Sequence, residues 1–155
     1  MVGVSNIRIR RVADLDTKLL VPLAEESARE GFRHLDRLIN EYAAGINQFE
    51  QDGEALFIAY LDQDIVGVCG LNRDPNSNRA DTARVRRLYV LPSVRRFGIG
   101  RRLMDVVIAE AGKSYHMLVL KTDNPQADLF YRSIGFSIHT DSAAHTHFLR
   151  LKNNE

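Results

Sequence analysis

The stretch from Arg87 to Leu103 carries the residues best suited to do chemistry. It reads R-L-Y-V-L-P-S-V-R-R-F-G-I-G-R-R-L, an extended apolar run, a glycine-rich turn and the start of a helix. The first turn of a helix offers unpaired backbone N–H groups and the positive end of the helix dipole. We therefore expect the amides between Val94 and Arg102 to hold a phosphate or pyrophosphate, at a helix that begins near Gly98.

The spacing of the glycines separates this turn from two common phosphate-binding loops. Arg101 follows Gly98 and Gly100 without a third glycine, so G-x-G-x-x-G is absent, and the sequence holds no G-K-[ST] of a Walker loop. What stands after L-Y-V is R-x-x-G-x-G, beginning at Arg95. The simpler interpretation is a helix N-terminus whose glycines serve packing and whose arginines serve solubility.

Length and charge narrow the class of protein. The chain has 155 residues and a formal net charge of +1, which predicts a single domain over residues 1–155. This charge argues against a generally basic nucleic-acid-binding protein. Nine arginines nevertheless fall between Arg73 and Arg102, which favours a local anion site over a solvated basic face.

Cysteine and histidine usage points away from disulfides and metals. Cys69 is the sole cysteine and lies in an apolar strand-like run, so we expect a buried small hydrophobe in a reducing compartment. The five histidines show no metal-ligand spacing, so no metal is expected. We find neither a secretory leader nor a run long enough to cross a membrane, and expect a cytoplasmic protein without a membrane partner.

Hydrophobic periodicity predicts the elements that must position the turn. A first strand over 7–10 is followed by a helix that has Pro22 in its first turn and ends at Gly31. A second helix over 32–49 comes next. Two strands over 55–61 and 65–71 then form a hairpin. Asp14 or Asp16 can cap the first helical region. The two helices would form one wall of a pocket for an acceptor substrate, which would lie beside the bound phosphate compound.

The fourth strand, from Ala83 to Leu91, contains an irregularity. Its apolar phase shifts between Val85 and Leu88, as one extra residue in a β-bulge would cause. A bulge leaves backbone groups free to pair with an amide-bearing ligand such as pantetheine. A strand with mixed faces is the alternative.

Strand and helix alternate after the turn. A helix runs from Gly98 to Gly112, a buried strand follows over 117–120, and Asn124-Pro125 has the residue types of a helix start. Gly135 ends that helix, and strands over 137–140 and 146–151 close the chain. This order predicts a right-handed parallel crossover with its ligand at the carboxyl ends of the strands.

The order β-α-α-β-β-β-α-β-α-β-β with R-x-x-G-x-G after the fourth strand resembles the GNAT superfamily of N-acetyltransferases. The late segment A-x-x-F-Y-x-x-x-G-F, which contains Tyr131, is similar to a second motif of that family. The resemblance spans nearly the whole chain. It implies an α/β fold with a mixed central sheet of about seven strands and about four helices.

The resemblance also implies an enzyme that uses acetyl-CoA as donor and a primary amine of a small molecule as acceptor. By motif, pantetheine and the acetyl carbonyl would bind the backbone of Leu88, Tyr89 and Val90. The pyrophosphate would bind at Arg95, Arg96, Gly98, Gly100 and Arg101. Asn124 would lie near the pantetheine arm, and Tyr131 would protonate the leaving CoA thiolate. A backbone N–H near Val90 would stabilise the oxyanion.

The general base is not identified by motif, because the fourth strand carries arginines and no glutamate. The residues to examine are Glu25, Glu26, Glu41, Glu54, Tyr89 and His147, of which the glutamates are typical of solvated surface charges. The same arginines hint at an acceptor with a carboxylate or phosphate.

Three alternatives stay open. The acceptor could be a protein or peptide amine, the domain could be a non-catalytic acyl-CoA sensor, or the fold could be an unrelated phosphate-binding α/β domain. A homodimer is compatible with the sequence.

Overall fold

A mixed sheet forms the centre of the molecule. The computed structural model describes residues 6–77 and 80–152. Its strands are β1 Ile7–Arg11, β2 Ala55–Leu61, β3 Asp64–Arg73, β4 Thr82–Val90, β5 Met117–Leu120, β6 Ser137–Ile138 and β7 His147–Arg150. They are ordered β1-β2-β3-β4-β5-β7-β6, which confirms the predicted seven-stranded mixed sheet.

Four α-helices cover this sheet in the described part of the chain, as predicted. They are α1 Val21–Arg29, α2 His34–Ala43, α3 Ile99–Ala111 and α4 Pro125–Ser133. Short 3-10 helices over Thr17–Leu20 and Pro92–Phe97 precede α1 and α3. None of the helices in the described ranges is long and apolar enough to span a bilayer.

Local signals set where these helices begin. The side chain of Asp16 accepts a hydrogen bond from the Lys18 amide at the first 3-10 turn, and Pro22 lies in the first turn of α1. Asn124 caps α4, because its Oδ1 accepts from the amides of Gln126 at 2.9 Å and Ala127 at 3.2 Å. These three predictions are confirmed.

Strands β4 and β5 are parallel neighbours that pair at their start and then separate toward their carboxyl ends. Within the described residues they pair over Thr82–Arg84 and Met117–Val119, and β4 continues to Val90 without a partner on that side. All other strand pairs are antiparallel. The separation leaves a gap between the carboxyl ends of the two parallel strands, and α3 follows directly from the end of β4.

Strand β4 contains the predicted β-bulge. Arg86 pairs with Gly70 and Tyr89 pairs with Val68, so Arg87 and Leu88 together oppose a single residue of β3. Arg87 has a φ of 60°, an uncommon value for a residue with a side chain. The bulge therefore shifts the side-chain phase of β4 between its two halves.

The sheet buries apolar side chains on both faces. One face packs against α3 and α4, and the other packs against α1 and α2. Fully buried residues include Leu103, Met104 and Leu118 on the first face and Leu20, Leu35 and Val68 on the second. Cys69 is 0% exposed within the first cluster, which confirms it as a buried hydrophobe.

The second helix is shorter than predicted. It ends at Ala43, whereas apolar periodicity extended it to Phe49. Phe49 lies beyond the helix with a φ of 54°, and its ring packs over Gly70, where a Cβ would stand 2.5 Å from Phe49 Cε1. The helix ends because Gly45 adopts a φ of 76° and the Ile46 amide donates to the Glu41 carbonyl. Phe49 is buried by its contact with β3. The closing strands are also shorter than the predicted 137–140 and 146–151.

Candidate active site

The N-terminus of α3 presents free backbone donors. Gly98 caps this helix in the left-handed conformation with a φ of 75°, which glycine adopts without strain. The amide of Arg102 donates to the Gly98 carbonyl at 3.1 Å. Across the described ranges, the amides of Ile99, Gly100 and Arg101 donate no hydrogen bond to the protein. These three N–H groups at the positive end of a 13-residue helix can bind an anion.

This cradle is narrower than the sequence predicts. The Val94 amide donates to the Leu91 carbonyl at 3.1 Å, and the Gly98 amide donates to the Arg95 carbonyl at 3.4 Å. The chain before α3 is a 3-10 helix, which pairs each amide with the carbonyl three residues earlier. Of the predicted stretch from Val94 to Arg102, the amides left for an anion are therefore those of Ile99, Gly100 and Arg101.

The arginines around the cradle divide into two groups. Arg96, Arg101 and Arg102 are exposed beside the free amides. Arg95 turns toward β4 and α1, where its Nε donates to the Val90 carbonyl at 3.0 Å and its terminal nitrogen lies 2.8 Å from Glu30 Oε2. The pyrophosphate role of Arg95 stays a prediction, with its side chain engaged elsewhere.

The backbone of Val90 borders the gap between β4 and β5. The next residue, Leu91, donates its amide to the Val66 carbonyl of β3 at 2.9 Å. Backbone groups of neighbouring residues point to opposite sides of an antiparallel strand, so those of Val90 point away from β3 and toward the gap. Its N–H can therefore reach a ligand lying there.

A cluster of charged and polar side chains lies on the face of β4 that packs against α1 and α2. The Tyr89 hydroxyl donates to Glu30 Oε2 at 2.6 Å, and the Arg95 guanidinium lies 5.5 Å from the Tyr89 ring centre. Burial raises the pKa of Glu30, but hydrogen bonds from Arg95 and Tyr89 outweigh it, so the net shift is downward. Burial and the Glu30 carboxylate raise the pKa of Tyr89. Tyr89 therefore stays protonated and is a poor base, although it is among the residues that the sequence singles out as candidates for the general base.

His34 faces the same strand from the start of α2. Its ring centre lies 6.1 Å from that of Tyr89, and its Nε2 is buried without a hydrogen-bond partner in the described structure. Burial and the Arg87 charge lower the pKa of His34, while a hydrogen bond with the Leu88 backbone opposes them. The imidazole is therefore neutral near pH 7 and has a free ring nitrogen.

The predicted glutamate bases are either bonded to other side chains or exposed. Glu26 pairs with Arg29, Glu41 lies 3.1 Å from Arg87, and Glu54 accepts from Asn72 at 2.7 Å. Glu25 is exposed on α1.

His147 is also occupied. Its Nδ1 lies 2.7 Å from Thr146 Oγ1, and its Nε2 lies 2.7 Å from Asp128 Oδ1. With both ring nitrogens bonded, His147 joins β7 to α4 and has no free nitrogen for a proton.

Sequence reasoning missed Glu30 and His34. Both lie around the connection between α1 and α2, whose sequence shows no motif. Gly31 with a φ of 89° marks where the chain turns back, and it is the one local signal near them.

Tyr131 lies on α4 and is 7% exposed. Its ring packs edge-on against Phe130 and Phe136, with ring centres 5.3 Å and 5.6 Å away. Burial raises the pKa of Tyr131, so the phenol keeps its proton throughout the neutral range. Phe130 also borders the cradle, because a Cβ added to Gly100 would stand 3.5 Å from Phe130 Cζ.

The chain that forms this site is similar in sequence and fold to a known family of proteins. The family model described as acetyltransferase (GNAT) domain matches residues 52–138. A structure from Exiguobacterium sp. 255-15, of a proposed acetyltransferase, is 34% identical, with 94% of this chain and 93% of that chain covered and a TM-score of 0.84. The chain belongs to the GNAT acetyltransferase family.

More distant structures share the fold. An N-acetyltransferase from Staphylococcus aureus Mu50 is 18% identical with a TM-score of 0.74, covering 96% of this chain and 100% of that chain. A GNAT-family acetyltransferase from Streptococcus pneumoniae is 18% identical with a TM-score of 0.75, and the match covers 95% of this chain and 100% of that chain.

Proposed function

We propose that this protein transfers the acetyl group of acetyl-CoA to a primary amine of a small molecule. The observation that carries the proposal is the set of three free amides at Ile99, Gly100 and Arg101, beside the gap between β4 and β5. Family membership supports acetyl transfer in general, and the contacts of the acceptor side support a small acceptor.

The residues of the cradle fit the pyrophosphate of CoA. A Cβ at Gly98 would meet nothing within 4 Å, so an anion can approach this backbone from open space. Arg96 and Arg101 add positive charge at the rim. Asn124 uses its Oδ1 to cap α4, which leaves its amide nitrogen to donate to the pantetheine arm.

Bound acetyl-CoA would supply an activated acetyl thioester, and residues of this chain would handle the charge and the protons. The Val90 N–H donates to the carbonyl oxygen as negative charge develops on it. His34 Nε2 accepts a proton from the attacking amine, directly or through water. Tyr131 donates a proton to the departing thiolate. Burial raises the pKa of this phenol, and the same desolvation raises the pKa of a thiolate that leaves beside it, so the transfer requires the two groups to be in contact.

A small acceptor is favoured because two ion pairs close the acceptor side. Glu30 ties the end of α1 to Arg95, and Glu41 ties α2 to Arg87 at the bulge. These contacts hold the connection between α1 and α2 against β4, where a long peptide would need an open groove.

Calorimetric titration with CoA and with pantetheine tests the cradle. CoA should bind at least roughly 100-fold tighter than pantetheine, which lacks the pyrophosphate. Gly100→Pro removes one cradle amide in the first helical turn, where proline is tolerated, and should weaken CoA binding roughly tenfold without changing pantetheine binding. Gly100→Ala keeps the amide and is the matched control. Equal CoA affinity in the Pro and Ala variants would refute the cradle.

Thiol release from acetyl-CoA across an amine panel tests the transfer. We expect release with one or more small primary amines and none without an amine. Tight CoA binding with no release for any amine would instead indicate an acyl-CoA sensor.

A further inference from the structure

Three arginines lie together on β4 with two carboxylates to balance them. Arg84 Nε lies 2.9 Å from Asp74 Oδ1, and both side chains are less than one tenth exposed. Arg87 pairs with Glu41 at 3.1 Å. Arg86 stands between these pairs in the sequence, and no carboxylate of the described residues lies within ion-pair distance of it.

The Arg86 side chain lies on the same face of β4 as that of Arg84. Val85 packs into the core against α3, and side chains alternate along a strand, so Arg86 lies on the α2 face with Arg84. Its Nε is buried and has no hydrogen-bond partner in the part of the chain that the structure describes. Burial and the adjacent Arg87 and Arg84 charges lower the pKa of the Arg86 guanidinium, although it remains a cation at neutral pH.

A half-buried cation without a partner is costly, and an anion that binds there would offset the cost. The position suits a substrate group, because Arg86 immediately precedes the bulge at Arg87 and Leu88. His34 lies over the same strand from α2, with its ring centre 6.1 Å from that of Tyr89. An amine at His34 and an anion at Arg86 would therefore lie on the same side of β4.

We propose that Arg86 binds an oxyanion of the acceptor, so that the substrate is a small primary amine that also carries a carboxylate or a phosphate. This inference rests on the proposed acetyltransferase function. A guanidinium presents parallel N–H groups that match two oxygens of either anion, which gives both affinity and orientation. Selection of the acceptor thus depends on a charge that β4 leaves unbalanced.

Matched amine pairs test the proposal. The panel contains the proteinogenic L-amino acids, each with its carboxamide, and phosphoethanolamine with ethanolamine. The wild-type protein should have a kcat/KM at least roughly tenfold higher for the anionic member of its best pair. Carboxamide amines are less basic than those of the parent acids, so a preference for the acid does not come from a larger fraction of free amine. The two kinds of pair distinguish a carboxylate from a phosphate.

Arg86→Gln should remove that preference by raising KM for the anionic member roughly 10- to 100-fold, with kcat for the neutral member unchanged. Arg86→Lys should restore part of it, because it keeps the charge and loses the planar fork. Arg10→Gln, at an exposed arginine of β1, is the control. The melting temperature of Arg86→Gln should equal or exceed that of wild type, since an unpaired charge is removed.

Equilibrium titration of the same amines into the CoA-saturated protein separates this proposal from the proposed function. If no amine is acetylated but phosphoethanolamine or an amino acid binds and Arg86→Gln abolishes binding, the anion site stands and the enzyme proposal fails. A wild-type preference for neutral amines, binding of no anionic member, or an unchanged preference in Arg86→Gln would overturn the anion site.

Discussion

The hydroxyl of Tyr89 donates a 2.6 Å hydrogen bond to Oε2 of Glu30, a residue 59 positions earlier in the chain. The same carboxylate oxygen lies 2.8 Å from a terminal nitrogen of Arg95. One oxygen thus joins the end of α1, the end of β4 and the turn before α3. This contact holds the acceptor side of the candidate site against the strand that would carry the donor.

Tyr89→Phe should destabilise the protein by about 1–2 kcal/mol, because it removes a hydrogen bond to a charged group and keeps the ring. Chemical denaturation at pH 7 measures the loss. Tyr60→Phe is the matched control, since the Tyr60 ring lies 5.3 Å from the Arg8 guanidinium and its hydroxyl has no partner among residues 6–77 and 80–152. An equal loss in both variants would show that the Glu30 contact adds no stability.

Acid should remove the difference between wild type and Tyr89→Phe. The pKa of Glu30 lies below its ordinary value of 4.5 in the folded protein. A carboxylate with a lowered pKa stabilises the fold above its ordinary pKa, and this contribution disappears as the pH falls through the lowered value. Unfolding measured from pH 7 down to pH 3 should show the two proteins converging below about pH 4.5. A constant difference over that range would contradict the role of the ionised carboxylate.

Gly70→Ala tests the close packing of Phe49 on β3. A Cβ at Gly70 would stand 2.5 Å from Phe49 Cε1, so the Phe49 ring or β3 must shift. We expect a loss of about 1–3 kcal/mol, typical of overpacking. Gly100→Ala is the control, because its Cβ would stand 3.5 Å from its nearest neighbour, an ordinary contact. Denaturation curves that are equal for the two variants would refute the close packing of Phe49 on β3.

The contact between Phe49 and Gly70 shows which features local sequence predicts and which it misses. Asn124-Pro125, Gly98 and the phase shift in β4 are local backbone signals, and each predicted the element that the structure contains. Phe49 is buried because its ring packs on the sheet, and this tertiary contact cannot be told from a helical one by spacing alone. Glu30 and His34 enter the candidate site for the same reason, since their positions depend on how α1 and α2 pack on β4.

Tyr131→Phe should lower kcat at least roughly tenfold and leave CoA affinity nearly unchanged. The substitution keeps the edge-on packing against Phe130 and Phe136, so the melting temperature should change little. Tyr115→Phe is a matched control, because Tyr115 is also buried with a raised pKa, yet its hydroxyl donates to the Gly53 carbonyl at 3.0 Å. That control should lose stability and keep kcat. Unaltered turnover in Tyr131→Phe would remove Tyr131 from its role as the acid.

His34→Gln should lower kcat/KM roughly 100-fold or more, because a residue that takes the amine proton typically contributes that much. A base must be unprotonated, so activity falls as the pH drops through the pKa of His34. Burial and the Arg87 charge place that pKa below the ordinary value of 6.5, and the acid limb of the wild-type profile should therefore lie below pH 6.5. In His34→Gln this limb should disappear from what activity remains.

His116→Gln provides the control for His34→Gln, since His116 is exposed and follows α3. Its pH profile and kcat/KM should match those of wild type. A glutamine cannot accept the proton but keeps a polar side chain near the Leu88 backbone, so CoA affinity and melting temperature should change little in His34→Gln. If the acid limb persists unchanged in His34→Gln, another group takes the proton, and His34 serves the packing of α2 against β4 through its ring contact with Tyr89.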